Sequence, residues 1–197
     1  RIRFDSRGNR SYSSLRIPIA VRKPNLSALV IIASSVLVIH LVGIVNSSLG
    51  RWGFFAYLPG LFFLVPTIHL GRLRATLAIV VIGFSLDVQN NTFFGFHTIA
   101  LMIFHLIGTE WVQIGQQGEL IRPFLLQIMA NLVIAMTWFI LTYFLKEASS
   151  AWSPYRFCSD SVISILIFIP LCRWFPFFCE ELLQLLGALG EQEQRPI

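Results

Sequence analysis

The sequence predicts an all-α, polytopic membrane protein with about six transmembrane helices and both termini in the cytoplasm. Three observations predict it. The mean hydropathy is +0.71. Only 13% of the residues are charged, about half the ~25% usual for a soluble globule. Apolar stretches long enough, or nearly so, to cross the hydrocarbon core recur between Leu26 and Phe178. The 197 residues suit one domain of ordinary size. The expected organisation is a basic N-tail over 1–25, a membrane domain over 26–178 and an amphipathic C-terminal segment and tail over 179–197.

Seven of the fifteen Lys and Arg precede Leu26 (Arg1, Arg3, Arg7, Arg10, Arg16, Arg22 and Lys23), against one acid, Asp5. Such a cluster works as a positive-inside anchor and attracts anionic lipid headgroups. Nucleic-acid binding would need an aromatic-interleaved basic fold, and none accompanies it. With Ser11, Ser13 and Ser14 between the arginines, the tail reads as disordered. The chain opens on Arg1, so a start methionine or an upstream segment is expected ahead of it.

The first span is expected over about 26–45. It is too long for a signal-peptide apolar region and no A-x-A site follows, so it reads as a retained anchor. The second runs over about 52–70 and contains Pro59 and Pro66, which imply kinks. The third runs from about 71 or 73 to 88, the fourth over 93–111, the fifth over 124–145 and the sixth over 161–178. Orientation follows from the basic residues in the connections. With the N-terminus inside, the cytoplasmic segments carry the seven above with Arg72, Arg74, Arg122, Arg173 and Arg195, and the outer loops carry only Arg51, Lys146 and Arg156. The most apolar part of the third span is short, and its loss would leave five spans and an external C-terminus.

Asp87 falls at the outer end of helix 3 in this topology, followed by the polar turn Gln89, Asn90, Asn91 and Thr92. A carboxylate at a membrane helix end is costly and needs a reason. Two readings that do not exclude each other are open: a capped, snorkelling carboxylate fixing a tight turn, or a turn that dips into the membrane and is read by a partner. Asn91 or Thr92 is the expected N-cap of helix 4. Beyond the sixth span, Leu182, Leu183, Leu185, Leu186 and Leu189 fall on one helical face with Glu180, Glu181 and Gln184 elsewhere. That pattern fits an interfacial or partner-binding helix.

No catalytic constellation appears. Cys158, Cys172 and Cys179 lack metal-ligand spacing and need no disulfide role. His97 and His105, eight apart, share a helix face, but no third ligand accompanies them; with His40 and His69 they read as polar contacts between helices. Glu110, beside a polar loop, reads as solvated. No serine-histidine-acid order, H-E-x-x-H, G-x-S-x-G or phosphate loop is present, so an enzyme is not expected, nor a cofactor or metal. A transport path is the stronger rival, with His40, Asp87, Asn131 and Thr137 as polar lining and Trp111 and Trp138 as walls. Against it, intramembrane charge is scarce and no second half repeats the first.

Gly83, Phe84, Ser85, Leu86 and Asp87, followed by Thr92, Phe94 and Gly95 and then Ala100 and Leu101, give the chain a pattern that resembles the bacterial rod shape-determining MreD family. That family has an apolar helix ending Gly-x-x-x-Asp, a short polar turn, then Leu- or Phe-Gly and a further apolar helix. In the resemblance Gly83 lets helix 3 pack closely or flex, Leu86 precedes Asp87, Asp87 closes the helix and Gly95 opens the next. The longer basic N-tail, the amphipathic C-terminal stretch and the Asn-rich turn depart from the usual pattern. The resemblance implies a six-helix fold similar to the substrate-binding subunits of vitamin importers, in the bacterial cytoplasmic membrane. It implies a non-catalytic scaffold role in cell elongation. The implied partners are an MreC-like bitopic protein and, indirectly, an MreB-like filament and the glycosyltransferase–transpeptidase pair of lateral wall synthesis. The alternative is a substrate-binding membrane subunit of a small-molecule importer.

Overall fold

The computed structural model describes residues 24–114, 121–145 and 154–188. The basic N-tail, Lys146 and the tail beyond Ala188 lie outside them, as do the side chains of Trp111 and Arg122. Among the described residues every regular element is a helix and there is no strand: α1 (Pro24–Leu49), α2 (Leu64–His69), α3 (Arg72–Asn90), α4 (Phe96–Ile114), α5 (Ile121–Leu145) and α6 (Pro154–Leu185). Among the described residues four helices are long and apolar enough to cross a membrane: Pro24–Trp52, Arg72–Asn90, Pro123–Phe144 and Tyr155–Leu185. Two shorter apolar helices are Pro59–His69 and Phe96–Glu110.

α1 turns its small polar residues inward. Ser27, Val30, Ile31, Ser34, Ser35, Val38 and Ile39 are buried, following the helical period, while Leu29, Leu37, Leu41 and Ile44 are exposed. This distribution suits an apolar solvent, in which helices gain by close packing of small residues rather than by hiding leucines. α6 follows the same logic, burying Ser164, Phe168, Cys172, Phe175, Cys179 and Leu183 on one face. The core gathers between these faces around Leu61, Phe62, Phe63 and Ile79.

The segment over 52–70, expected as one kinked helix, is not one. Gly50–Trp52 and Pro59–Leu61 are single 3₁₀ turns, residues 54–58 are non-helical, and only Leu64–His69 is α-helical. Pro59 sits at the start of its turn and Pro66 in the first turn of α2, where a missing N–H costs nothing. Non-helical backbone inside an apolar bundle must find partners elsewhere. Here side chains supply them. Asn46 pairs with both backbone groups of Ala56 at 2.8 Å. Asp160 Oδ1 accepts from Phe55 N at 2.9 Å and Ser164 Oγ from Tyr57 N at 2.8 Å. Asn131 bridges Tyr57 O and Gly60 N, and Gln127 donates to Leu61 O. The segment therefore runs the length of the bundle, from Asn46 late in α1 to His69, whose Nε2 lies 3.5 Å from Glu180 late in α6.

The sixth span also differs. No boundary falls after residue 178: α6 continues through Leu185 with Pro170 and Pro176 inside it. Leu182, Leu183 and Leu185 are the last turns of that helix rather than a separate amphipathic one. Gly187 N donates to Gln184 O and Ala188 N to Leu183 O, both at 2.9 Å, the pairing of a Schellman stop. Leu183 and Ala188 are fully buried, while Leu185 is 81% exposed. The leucine-rich face is thus divided between the core and the outside.

Candidate functional site

The turn between α3 and α4 is built around one carboxylate. α3 ends when Asn91 takes a left-handed conformation (φ 49°), a position asparagine tolerates better than most residues. Thr92 N then donates to Asp87 O at 3.1 Å and Asn91 N to Val88 O at 3.4 Å. Asn90 Nδ2 adds a bond to Leu86 O at 3.1 Å, so the loose carbonyls of α3 are satisfied within the turn. Gly95, at φ 89°, reverses the chain into α4, a conformation that a side chain would strain.

Asp87 points inward and is only 3% exposed, so the expected snorkelling does not occur. Its Oδ2 accepts from Gly95 N at 2.8 Å. Its Oδ1 accepts from His97 N at 2.9 Å, His97 Nδ1 at 2.8 Å and Thr92 Oγ1 at 2.8 Å. The N-terminal turn of α4 is therefore capped by a carboxylate from the preceding helix. Neither Asn91 nor Thr92 is the N-cap: Asn91 closes α3 and Thr92 orients the carboxylate. An anion facing the N-terminal amides of a helix is favoured by their dipoles.

The bond to Asp87 makes His97 Nδ1 a donor, leaving Nε2 of the neutral ring as an acceptor by assignment from the network. Tyr57 OH lies 2.6 Å from that Nε2 and donates to it. Asp87, His97 and Tyr57 thus form a directed chain from the α3–α4 turn to the non-helical segment, buried throughout. One end of each unusual backbone feature is tied to the other.

Close contact does the rest. A Cβ on Gly83 would lie 2.5 Å from Thr98 Cα, so α3 and α4 touch backbone to backbone there. Gly83→Val is expected to lower thermal stability by about 2 kcal/mol or more, and Gly83→Ala by less, because overpacking scales with the added atoms; thermal melts of the purified variants check the order. Leu86, 5% exposed, lines a cavity of about 270 Å³ with Asn46 and Gln89. Phe94 stacks on Phe84 at 4.6 Å, and Trp138 meets Phe93 at 6.2 Å and Phe96 at 5.5 Å. Outside these contacts the turn raises an apolar crest: Val88 is 74% exposed, Phe93 52% and Phe94 80%.

Gly83, Leu86, Asp87, Thr92 and Gly95 are thus gathered at one end of the bundle. The polar path expected from His40, Asp87, Asn131 and Thr137 is not. His40 and Thr137 are exposed and bond the carbonyls of Val36 and Val133 in their own helices. Glu110 is exposed. His105 Nδ1 meets Thr67 Oγ1 at 2.8 Å, a polar contact between α4 and α2. Among the described residues no group of three His, Cys, Asp or Glu is placed to hold a metal ion. Sequence reasoning missed Tyr57, Asn46, Asp160 and Ser164. A signal existed: three of the four are polar residues in or at the ends of apolar runs, opposite a stretch with two prolines.

Fold and site together define a membrane protein: an all-helical bundle with four helices able to cross a membrane among the described residues, and an internal carboxylate locking a helix-to-helix turn. No family model, curated protein or solved structure matches the chain.

Proposed function

We propose that this chain is a non-catalytic scaffold subunit of the bacterial cell-elongation machinery, which builds the lateral wall of rod-shaped cells. In this reading it lies in the cytoplasmic membrane and crosses it about six times with both ends inside. The segment over 52–70 and α4 are the two crossings that lack a full-length apolar helix. What supports this orientation is the bias of Arg and Lys toward the cytoplasmic segments, with only Arg51, Lys146 and Arg156 outside.

The observation that carries the functional reading is the turn. The Gly-x-x-x-Asp spacing of Gly83 and Asp87 ends in a carboxylate that uses both oxygens to hold the first turn of α4. Asp87 is buried, so a partner does not touch it. It is a positioning residue for the crest of Val88, Phe93 and Phe94, which is the surface offered to an MreC-like bitopic protein. The actin-like filament and the glycosyltransferase–transpeptidase pair are reached through that protein.

Gentle extraction of the tagged protein from native membranes, followed by mass spectrometry, tests the reading. An MreC-like protein and wall-synthesis enzymes are expected in near-stoichiometric amount. Phe94→Ser is expected to cut that recovery at least threefold with little change in membrane abundance, since the 80% exposed ring gives up one stack on Phe84, worth about 0.5–1.5 kcal/mol. Recovery of an ATPase pair with an integral transport subunit would overturn the proposal in favour of an importer.

A further inference from the structure

A cavity of about 310 Å³ lies between α5, α6 and the non-helical segment, walled by Phe55, Tyr57, Ala135, Trp138, Phe139 and Phe168. We propose that it houses one acyl chain of a membrane phospholipid, a site independent of the elongation reading. Six Asn, Asp, Ser, Tyr and Cys residues border it; Cys158 is exposed and Ser161 half-buried, and the structure commits the other four elsewhere. Asn131 and Ser164 bond the backbone of Tyr57 and Gly60, and Ser164 Oγ also donates to Asp160 O at 2.6 Å. Asp160 Oδ1 holds Phe55 N, its Oδ2 lies 3.9 Å from Arg156 Nε, and the Tyr57 hydroxyl is given to His97. A water molecule needs two to four polar partners, and an apolar cavity of this kind stays dry and accepts hydrocarbon.

The position of the mouth names the occupant. Leu132, Met136 and Val162, 42%, 45% and 58% exposed, line the opening. They belong to Pro123–Phe144 and Tyr155–Leu185, two of the helices long and apolar enough to cross a membrane. The cavity therefore opens sideways into the hydrocarbon layer, whose molecules are acyl chains. An empty cavity forfeits the dispersion contacts of its lining, and a chain entering it recovers them. Its volume sits at the small end of the ~300–1,000 Å³ of ordinary ligand sites, enough for one chain and not for a headgroup.

Trp138 reports the occupant directly. In the full chain, Trp52, Trp111, Trp152 and Trp174 are changed to Phe, and the protein is placed in nanodiscs of phosphatidylcholine brominated along its acyl chains. Trp138 emission is expected to fall at least twofold relative to unbrominated lipid, with aqueous acrylamide having little effect. Ala135→Phe, which fills the cavity from α5, is expected to restore most of the emission while the protein keeps its helical circular dichroism. Should Ala135→Phe fail to fold, Ser161→Phe makes the same comparison from α6. Equal quenching in the open and filled forms, or efficient quenching by acrylamide, would overturn the proposal.

Discussion

Asp87→Ala is expected to lower stability by about 3–5 kcal/mol. The substitution strands the amides of Gly95 and His97 and takes the nearest acceptor from the His97 imidazole and the Thr92 hydroxyl, which keep each other at 3.2 Å and, for Thr92, Asp87 O at 3.5 Å. Each buried donor left unpaired costs about 1–3 kcal/mol, less where it re-pairs locally. Thermal unfolding in detergent and abundance in the membrane should fall together, because the carboxylate acts within the fold. Asp87→Asn keeps one acceptor oxygen but turns an amide NH₂ toward one of the donors. Its cost is expected at about 1–3 kcal/mol, between wild type and Asp87→Ala. Partner recovery should follow the ordering of the turn in this series, and in Phe94→Ser it should fall alone. Wild-type stability in Asp87→Ala would mean that the turn is held by its aromatic contacts and not by the carboxylate.

The second large effect is expected at Asn131→Leu. One side chain in α5 accepts from Gly60 N at 3.0 Å and donates to Tyr57 O at 3.1 Å. Leucine has nearly the same size and can do neither. Two backbone groups are then stranded in an apolar interior, at about 2–5 kcal/mol together. Hydrogen exchange should rise sharply over 55–61 while α1 and α3 stay protected, since the loss falls on a segment with one 3₁₀ turn and no α-helical bonds of its own. Ser164→Ala strands one backbone group, Tyr57 N, and removes the hydroxyl's own bond to Asp160 O; it should cost about 1–3 kcal/mol. Exchange unchanged in Asn131→Leu would show that the prolines and packing alone hold the segment.

Both effects come from polar groups whose partners lie outside their own helix, up to ten residues away for Asp87 and 71 to 74 for Asn131, and this explains what the chain revealed beforehand. The apolar runs made the helices legible, because a membrane crossing needs about twenty residues of one character. They also made α1, α3 and α5 legible nearly to their ends. Pro59 and Pro66 were visible as irregularities, but proline alone does not distinguish a kinked helix from an unwound one. Unwinding was decided by Asn46, Asn131, Asp160 and Ser164, which offer the bonds a helix would otherwise supply.

The turn divides in the same way. Asp87, Thr92 and Gly95 were legible as a turn because a carboxylate, a hydroxyl and a glycine follow an apolar run. Their roles were not. A local N-cap from Asn91 or Thr92 is the nearest choice in sequence, yet the carboxylate five residues before Thr92 reaches the same amides once Gly95 folds the chain back. The end of α6 is similar: two glutamates followed by a run of leucines read as a new surface helix, and it became the last turns of a spanning one when Leu183 and Ala188 found core to fill.

Composition and hydrophobic run length, acting over local stretches, were enough by themselves to determine an all-helical membrane protein, its helix-rich segments and the turn at Asp87. Only the tertiary structure decided that the segment over 52–70 unwinds, that Asp87 faces inward and that His97 joins it to Tyr57. The reason is physical. Burial and run length are properties of a residue and its neighbours, whereas hydrogen bonding inside an apolar interior is a property of pairs, and the members of these pairs lie up to 107 residues apart.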